Sequence, residues 1–187
     1  VLAKGKKGKV LVGRDTRLSG DLVESSLVAG FMSIGLDVDI AGVIPTPGVA
    51  YLTRTGGYLC GVSISASHNP FEHNGIKFFS SQGLKLDDKI EDEIEEKILS
   101  NTKIYKDVSG DEIGRLNRSD EFTKKYVDYL KNLFDLDFSE FEVAVDAGNG
   151  AQSFIAEEVL KSYGAKVKII NNEPNGMNIN DSCGSTN

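Results

Sequence analysis

Six short runs rich in β-branched residues, at 9–12, 37–41, 59–65, 76–79, 142–146 and 166–170, alternate with stretches whose apolar residues recur at helical spacing. Strands separated in this way must pair in a sheet and bury its faces under the intervening helices, so the pattern specifies an α/β layered fold rather than a bundle or a sandwich. Val23, Leu27, Phe31 and Ile34 follow Ser19 at that spacing, and Gly35 suits the left-handed residue that ends a helix, so 20–34 is expected to be helical. In DDKIEDEIEEKIL, residues 87–99, Ile90, Ile94 and Ile98 form one stripe among carboxylates, the arrangement of a surface helix. Its acidic run reads as a solvated face rather than a metal site. A further helix over 120–133 would bury Phe122, Tyr126, Tyr129 and Leu133. A new strand, loop and helix open at 142, with Ile155, Val159 and Tyr163 periodic and Gly164 as the stop signal. The expected organisation is a first domain over 1–138, with the boundary within 135–141, and the beginning of a second over 139–187.

Charge and cysteine content narrow the partners. The formal net charge is −7 and the basic residues are scattered after the opening KGKKGK run, which reads as a solvated turn. Nucleic-acid binding needs clustered positive charge and is not expected. No apolar run approaches the roughly 20 residues of a membrane helix, so no membrane partner is expected. Cys60 and Cys183 stand far apart without metal-ligand spacing, which argues against zinc or a disulfide framework and for a reducing, cytoplasmic setting. Nothing reads as a secretion signal. Val rather than Met in first position gives the expectation that the N-terminus is incomplete.

The chemistry concentrates in GVSISASHNPFEHNGIKFF, residues 61–79, where an apolar strand breaks into small and polar residues before a second strand resumes. Ser67, His68 and Asn69 crowd a hydroxyl, an imidazole and an amide into one turn that Pro70 stiffens. A serine is a weak nucleophile unless a neighbour takes its proton or stabilises its product, and His68 and Lys77 are the local candidates. The competing reading is that these side chains only satisfy loop backbone groups. Lys77, beside Phe78 and Phe79, is either partly desolvated and available for proton transfer, or extends its ammonium into solvent. Arg14, Asp15 and Arg17 fit internal ion pairs that shape a strand-to-helix turn better than a phosphate pocket. DAGNGA, 146–151, lacks nucleotide-binding spacing and reads as a tight turn into a helix.

SASHNP followed by NGIKFF resembles the active-site serine loop of the α-D-phosphohexomutases, and in form the members that act on glucosamine phosphates. GRDTRLSG at 13–20, PTPGVAYLTR at 45–54, VDAGNGA at 145–151 and GMNINDSCGST at 176–186 extend the resemblance over essentially the whole chain. It implies a layered mixed sheet with flanking helices, followed by the first βαβ part of a similar second domain, within a longer four-domain enzyme. It also implies that Ser67 carries a phosphate passed to and from a hexosamine phosphate through a bisphosphorylated intermediate. The net reaction would interconvert glucosamine 6-phosphate and glucosamine 1-phosphate, with glucosamine 1,6-bisphosphate or glucose 1,6-bisphosphate as activator. Lys77 takes the position of a lysine implicated in proton transfer, His68 would bond the phosphate or sugar, and Ser65 belongs to the strand end. His73 stands where relatives often carry an acidic residue and receives no role. Mg²⁺ is the implied cofactor, with Ser67 a ligand through its phosphoryl oxygen, but the DGDADR-type loop that supplies the other ligands does not occur in these residues. This chain alone is therefore expected to be inactive. Alternatives are a phosphomannomutase or phosphoglucomutase of the same superfamily, or a non-catalytic sugar-phosphate binding module; a homodimer of the full-length enzyme is compatible with the resemblance.

Overall fold

The computed structural model describes residues 7–100 and 108–187. Lys4 and Lys6 of the opening basic run lie outside them, and Lys9 begins the first strand rather than a turn, pairing with Asp39 at 3.7 Å. In chain order the elements are β1 (Lys9–Arg14), α1 (Gly20–Ser33), β2 (Asp37–Val43), α2 (Thr46–Gly56), β3 (Cys60–Ile64), β4 (Ile76–Ser80) and α3 (Asp88–Leu99). Then follow β5 (Leu116–Arg118), α4 (Glu121–Lys131), β6 (Glu142–Asp146), α5 (Ala156–Ser162) and β7 (Lys166–Ile170). All six expected strands form.

A five-stranded sheet runs β4-β3-β1-β2-β5, with β1, β2, β3 and β5 parallel and β4 antiparallel at the edge. Side chains alternate across it, as the two-residue strand period requires. Val10, Val12, Val38, Ile40, Val62 and Ile64 face Val23, Leu27, Val28 and Phe31 of α1. Leu11 and Ala41 face the other way, against Val49 and Leu52 of α2 and Tyr126 and Val127 of α4. Strands β6 and β7 form a separate parallel pair bridged by α5, and Ile155, just before α5, packs into the α2–α4 side of the core. The result is an α/β fold, a mixed sheet flanked by helices, followed by a βαβ unit.

Several local expectations change. Helix α2 lies outside the segments that periodicity marks as helical, because Pro45, Pro47 and Gly48 read as turn formers although proline in a first turn also starts helices. The α3 stripe is shallow: Ile90 and Ile94 are half-buried and Ile98 is 71% exposed. Leu133 falls beyond the end of α4 and is 39% exposed, while Val127 takes the buried place beside Tyr126. Ser19 precedes α1 but caps no backbone N–H; its hydroxyl instead accepts a hydrogen bond from Asn74 Nδ2 at 2.9 Å.

The buried thiol of Cys60 sets a pH dependence. Burial pushes its pKa up from 9.0 to about 11. Between those values the unfolded chain has released this proton while the folded chain retains it, so stability is full below pH 9 and falls as pH rises towards 11. The loss is on the order of 3 kcal/mol. Tyr58 acts in the same direction at higher pH, because burial and a 2.8 Å hydrogen bond to Asp39 both raise its pKa. Urea unfolding midpoints across this range should fall for the parent chain and fall less for Cys60→Ala.

Candidate active site

The carboxyl ends of β1, β2, β3 and β6 converge, and the residues that follow each line one cavity of about 180 Å³. Asp15 comes from the β1 end, Ile44 to Thr46 from β2, Ser65 and Ser67 from β3, and Ala147 and Gly150 to Gln152 from β6, with Ile179 and Asn180 closing the side. Crevices at the carboxyl ends of parallel strands, where connections leave towards opposite faces, are where open α/β sheets bind ligands. Here β1 is paired on both sides, and its neighbours β2 and β3 are reached through helices on opposite faces of the sheet.

Ser67 is exposed and has φ +57°, a left-handed conformation that disfavours any side chain other than glycine, asparagine or aspartate. Both flanking peptide groups are held. The Ser67 N–H donates to Ser65 Oγ at 3.1 Å, and the Ser67 carbonyl accepts from Arg17 Nη2 and Asn180 Nδ2, each at 3.0 Å. Ser65, placed at the strand end, thus braces the backbone. Such strain costs about 1–2 kcal/mol for a non-glycine residue. Ser67→Gly should accordingly be more stable than Ser67→Ala by about 1 kcal/mol in paired unfolding curves.

Arg17 holds the turn. Its side chain is fully buried, and every N–H of the guanidinium is used. Nε donates to Asp15 Oδ2 at 2.9 Å, Nη1 to the carbonyls of Pro70 and His73, and Nη2 to those of Ser67 and Asn69. Asp15 also accepts from the Arg17 N–H at 3.1 Å. Arg17 therefore has no donor left for a phosphate, and the Asp15–Arg17 pair builds the turn, as expected. Arg14 is likewise engaged within the turn, bonding exposed Asp21 at 2.6 Å and lying 3.5 Å from buried Glu24. What sequence reasoning missed is the reach of Arg17 across the sheet end to the serine loop; adjacency in GRDTR signals a pair with Asp15 but not four distant carbonyls.

His68 and Lys77 lie outside the cavity lining. His68 is exposed, and its ring makes no hydrogen bond among the described residues. Lys77 is exposed rather than desolvated, because β4 is an edge strand. It sits opposite Ser63, whose hydroxyl bonds that of Thr46 at 3.0 Å, which places Lys77 on the sheet face that carries the cavity-lining Thr46. His73 is exposed and contributes its backbone carbonyl to Arg17.

Among the described residues no three His, Cys, Asp or Glu side chains cluster to hold a metal ion. Asp15, the carboxylate in the cavity wall, is committed on both oxygens to Arg17. The residues present do not by themselves make a divalent-cation site.

DAGNGA forms the tight turn after β6, with Gly148 and Asn149 both left-handed. Asp146 accepts from the Gly184 and Gly148 N–H groups and from Asn171, which holds its carboxyl below the usual range. Buried Asn149 bonds the backbone of Glu173 and Asn178, so GMNINDSCGST folds back over this turn.

Residues 1–105 match the family described as phosphoglucomutase/phosphomannomutase, alpha/beta/alpha domain I. The chain belongs to this family. Whole-chain relatives agree: it is 53% identical over 187 residues to a phosphoglucosamine mutase of Alkaliphilus metalliredigens and 52% identical over 187 residues to one of Clostridioides difficile. In both cases it covers 100% of this chain and 42% of the relative, so the chain spans about two fifths of the length of these curated proteins. The fold also matches the crystal structure of a phosphoglucomutase/phosphomannomutase family protein from Burkholderia thailandensis, with a TM-score of 0.77 at 24% identity. That match covers 94% of this chain and 38% of the other. Among the described residues no helix of this family member is long and apolar enough to cross a membrane.

Proposed function

We propose that the longer protein to which this chain corresponds interconverts glucosamine 6-phosphate and glucosamine 1-phosphate, with Ser67 as the phosphate carrier. The observation that carries this reading is an exposed serine, held left-handed by a buried arginine, in the wall of a cavity at the carboxyl ends of the strands. A turn that only connected β3 to β4 would have no need of a strained serine braced on both sides. The names of the relatives at 53% and 52% identity support the choice of sugar.

In the forward half-reaction the bond between phosphorus and Ser67 Oγ breaks as a bond forms from phosphorus to the free hydroxyl of the sugar monophosphate, and that hydroxyl releases its proton. The resulting bisphosphate turns over, its other phosphoryl group returns to Ser67 Oγ, and the sugar oxygen regains a proton. Lys77 is the proposed carrier of that proton, and His68 a donor to phosphate or sugar. Such transfer depends mainly on positioning and on neutralising the equatorial oxygens. Mg²⁺ would supply that neutralisation in the longer protein, with the Ser67 phosphoryl oxygen as one ligand and the rest from residues outside this chain. By the same reading the 187-residue chain alone turns nothing over.

A direct test compares the full-length protein on glucosamine 6-phosphate, glucose 6-phosphate and mannose 6-phosphate, each primed with glucose 1,6-bisphosphate. The highest kcat/KM is expected for the amino sugar. A preference for glucose or mannose phosphate would move the protein to the phosphoglucomutase or phosphomannomutase reading, and no turnover of any would favour a binding module.

A further inference from the structure

We propose that Asn180 is a positioning residue through which the βαβ unit and the segment following it join Arg17 in holding the Ser67 turn in its reactive conformation. This rests on Ser67 carrying the phosphate. Asn180 Nδ2 donates to the carbonyls of both Ser67, at 3.0 Å, and Asn69, at 3.1 Å. These are the same two carbonyls that Arg17 Nη2 reaches, at 3.0 and 2.9 Å. One side-chain amide and one arm of a guanidinium therefore hold the turn together.

A left-handed serine returns to the right-handed or extended region unless the peptide groups on either side are fixed. The preceding group is fixed within the turn by Ser65, whereas the following one depends on Arg17 and Asn180. Arg17 belongs to the β1 end, but Asn180 lies 113 residues from Ser67 in sequence, beyond β7. The same unit also grips the residues on either side of Arg17. Thr16 Oγ1 donates to the Asn149 carbonyl at 2.5 Å, and the Leu18 N–H donates to the Gly176 carbonyl at 2.8 Å. The βαβ unit thus acts on the turn directly through Asn180 and indirectly through the segment that presents Arg17.

The residue type fits the task. Asn180 is itself left-handed, with φ +58°, which asparagine tolerates, and its amide offers two N–H donors on a short stem. Its N–H donates to the Gly148 carbonyl at 2.9 Å, and a Cβ at Gly148 would stand 3.2 Å from its Oδ1. Glycine at 148 leaves the amide room to reach the turn.

The test uses the full-length protein with Asn180→Gly, which keeps the backbone conformation but lacks the donor, and Asn180→Asp, which keeps shape but places acceptors against two carbonyls. Turnover of glucosamine 6-phosphate primed with glucose 1,6-bisphosphate, thermal midpoint and Ser67 phosphate content are read together. Small misplacements of a reacting group cost up to about 100-fold in rate, so kcat should fall about 10-fold or more in Asn180→Gly and further in Asn180→Asp. KM should stay within about twofold and the Asn180→Gly midpoint near that of the parent, because the loss lies in orientation rather than binding. Parent-like kcat in both variants overturns the proposal, as does a fall in kcat that only follows a fall in thermal midpoint. If the parent protein carries no phosphate on Ser67 and turns over no hexose phosphate, the nucleophile reading fails first and takes this proposal with it.

Discussion

Substituting Arg17 with methionine is expected to lower the unfolding free energy of this chain by about 3–5 kcal/mol, the range for breaking a buried pair by removing one partner. The side chain that replaces it fills a similar volume, so the loss comes from polar groups rather than from a void. Asp15 is left as a buried carboxylate without its cation, and the carbonyls of Ser67, Asn69, Pro70 and His73 lose their shared donor. Arg17→Lys should recover little, because an ammonium offers three donors from one point and cannot span Asp15 and four carbonyls as a planar fork does. Urea denaturation followed by circular dichroism gives both values. A change below about 1 kcal/mol for Arg17→Met would mean that the turn is held by other contacts.

Ser67→Ala in the full-length protein should reduce mutase turnover by at least about 10³-fold, since removing a covalent carrier abolishes the route rather than weakening a contact. Stability should barely change, because the exposed hydroxyl makes no hydrogen bond among the described residues and alanine is no better suited to the left-handed backbone. Lys77→Met should cost less, about 10²-fold, the lower range for general acid–base groups. Steady-state assays of the three proteins side by side check the order. Comparable losses at Ser67 and Lys77 would mean that proton transfer through Lys77 is as indispensable as the phosphate carrier.

The central strands are readable because they bury apolar residues on both faces, and β6 and β7 because theirs alternate between half-buried and exposed. Helix α2 is not, because its apolar positions are few and its start carries two prolines and a glycine whose local meaning is a turn. The three-residue β5 is wholly exposed in its side chains, and its pairing with β2 leaves no apolar signature. At the site, Ser67 could be named from the Ser-His-Asn-Pro turn and the family it resembles. Its left-handed backbone could not, since a short polar turn accommodates several conformations. Arg17 and Asn180 lie 50 and 113 residues from Ser67, and only folding shows that both meet the same pair of carbonyls. The exposure of Lys77 follows from its strand being an edge, which the Phe-Phe sequence beside it does not reveal.

Phosphopeptide mapping of the full-length protein after exposure to glucose 1,6-bisphosphate, with Ser67→Ala as control, asks whether Ser67 carries the phosphate. Phosphate on the peptide containing Ser67, assigned to Ser67 rather than Ser65 and absent from the control, is the predicted result. An unmodified Ser67 in a protein that turns over glucosamine 6-phosphate would contradict it.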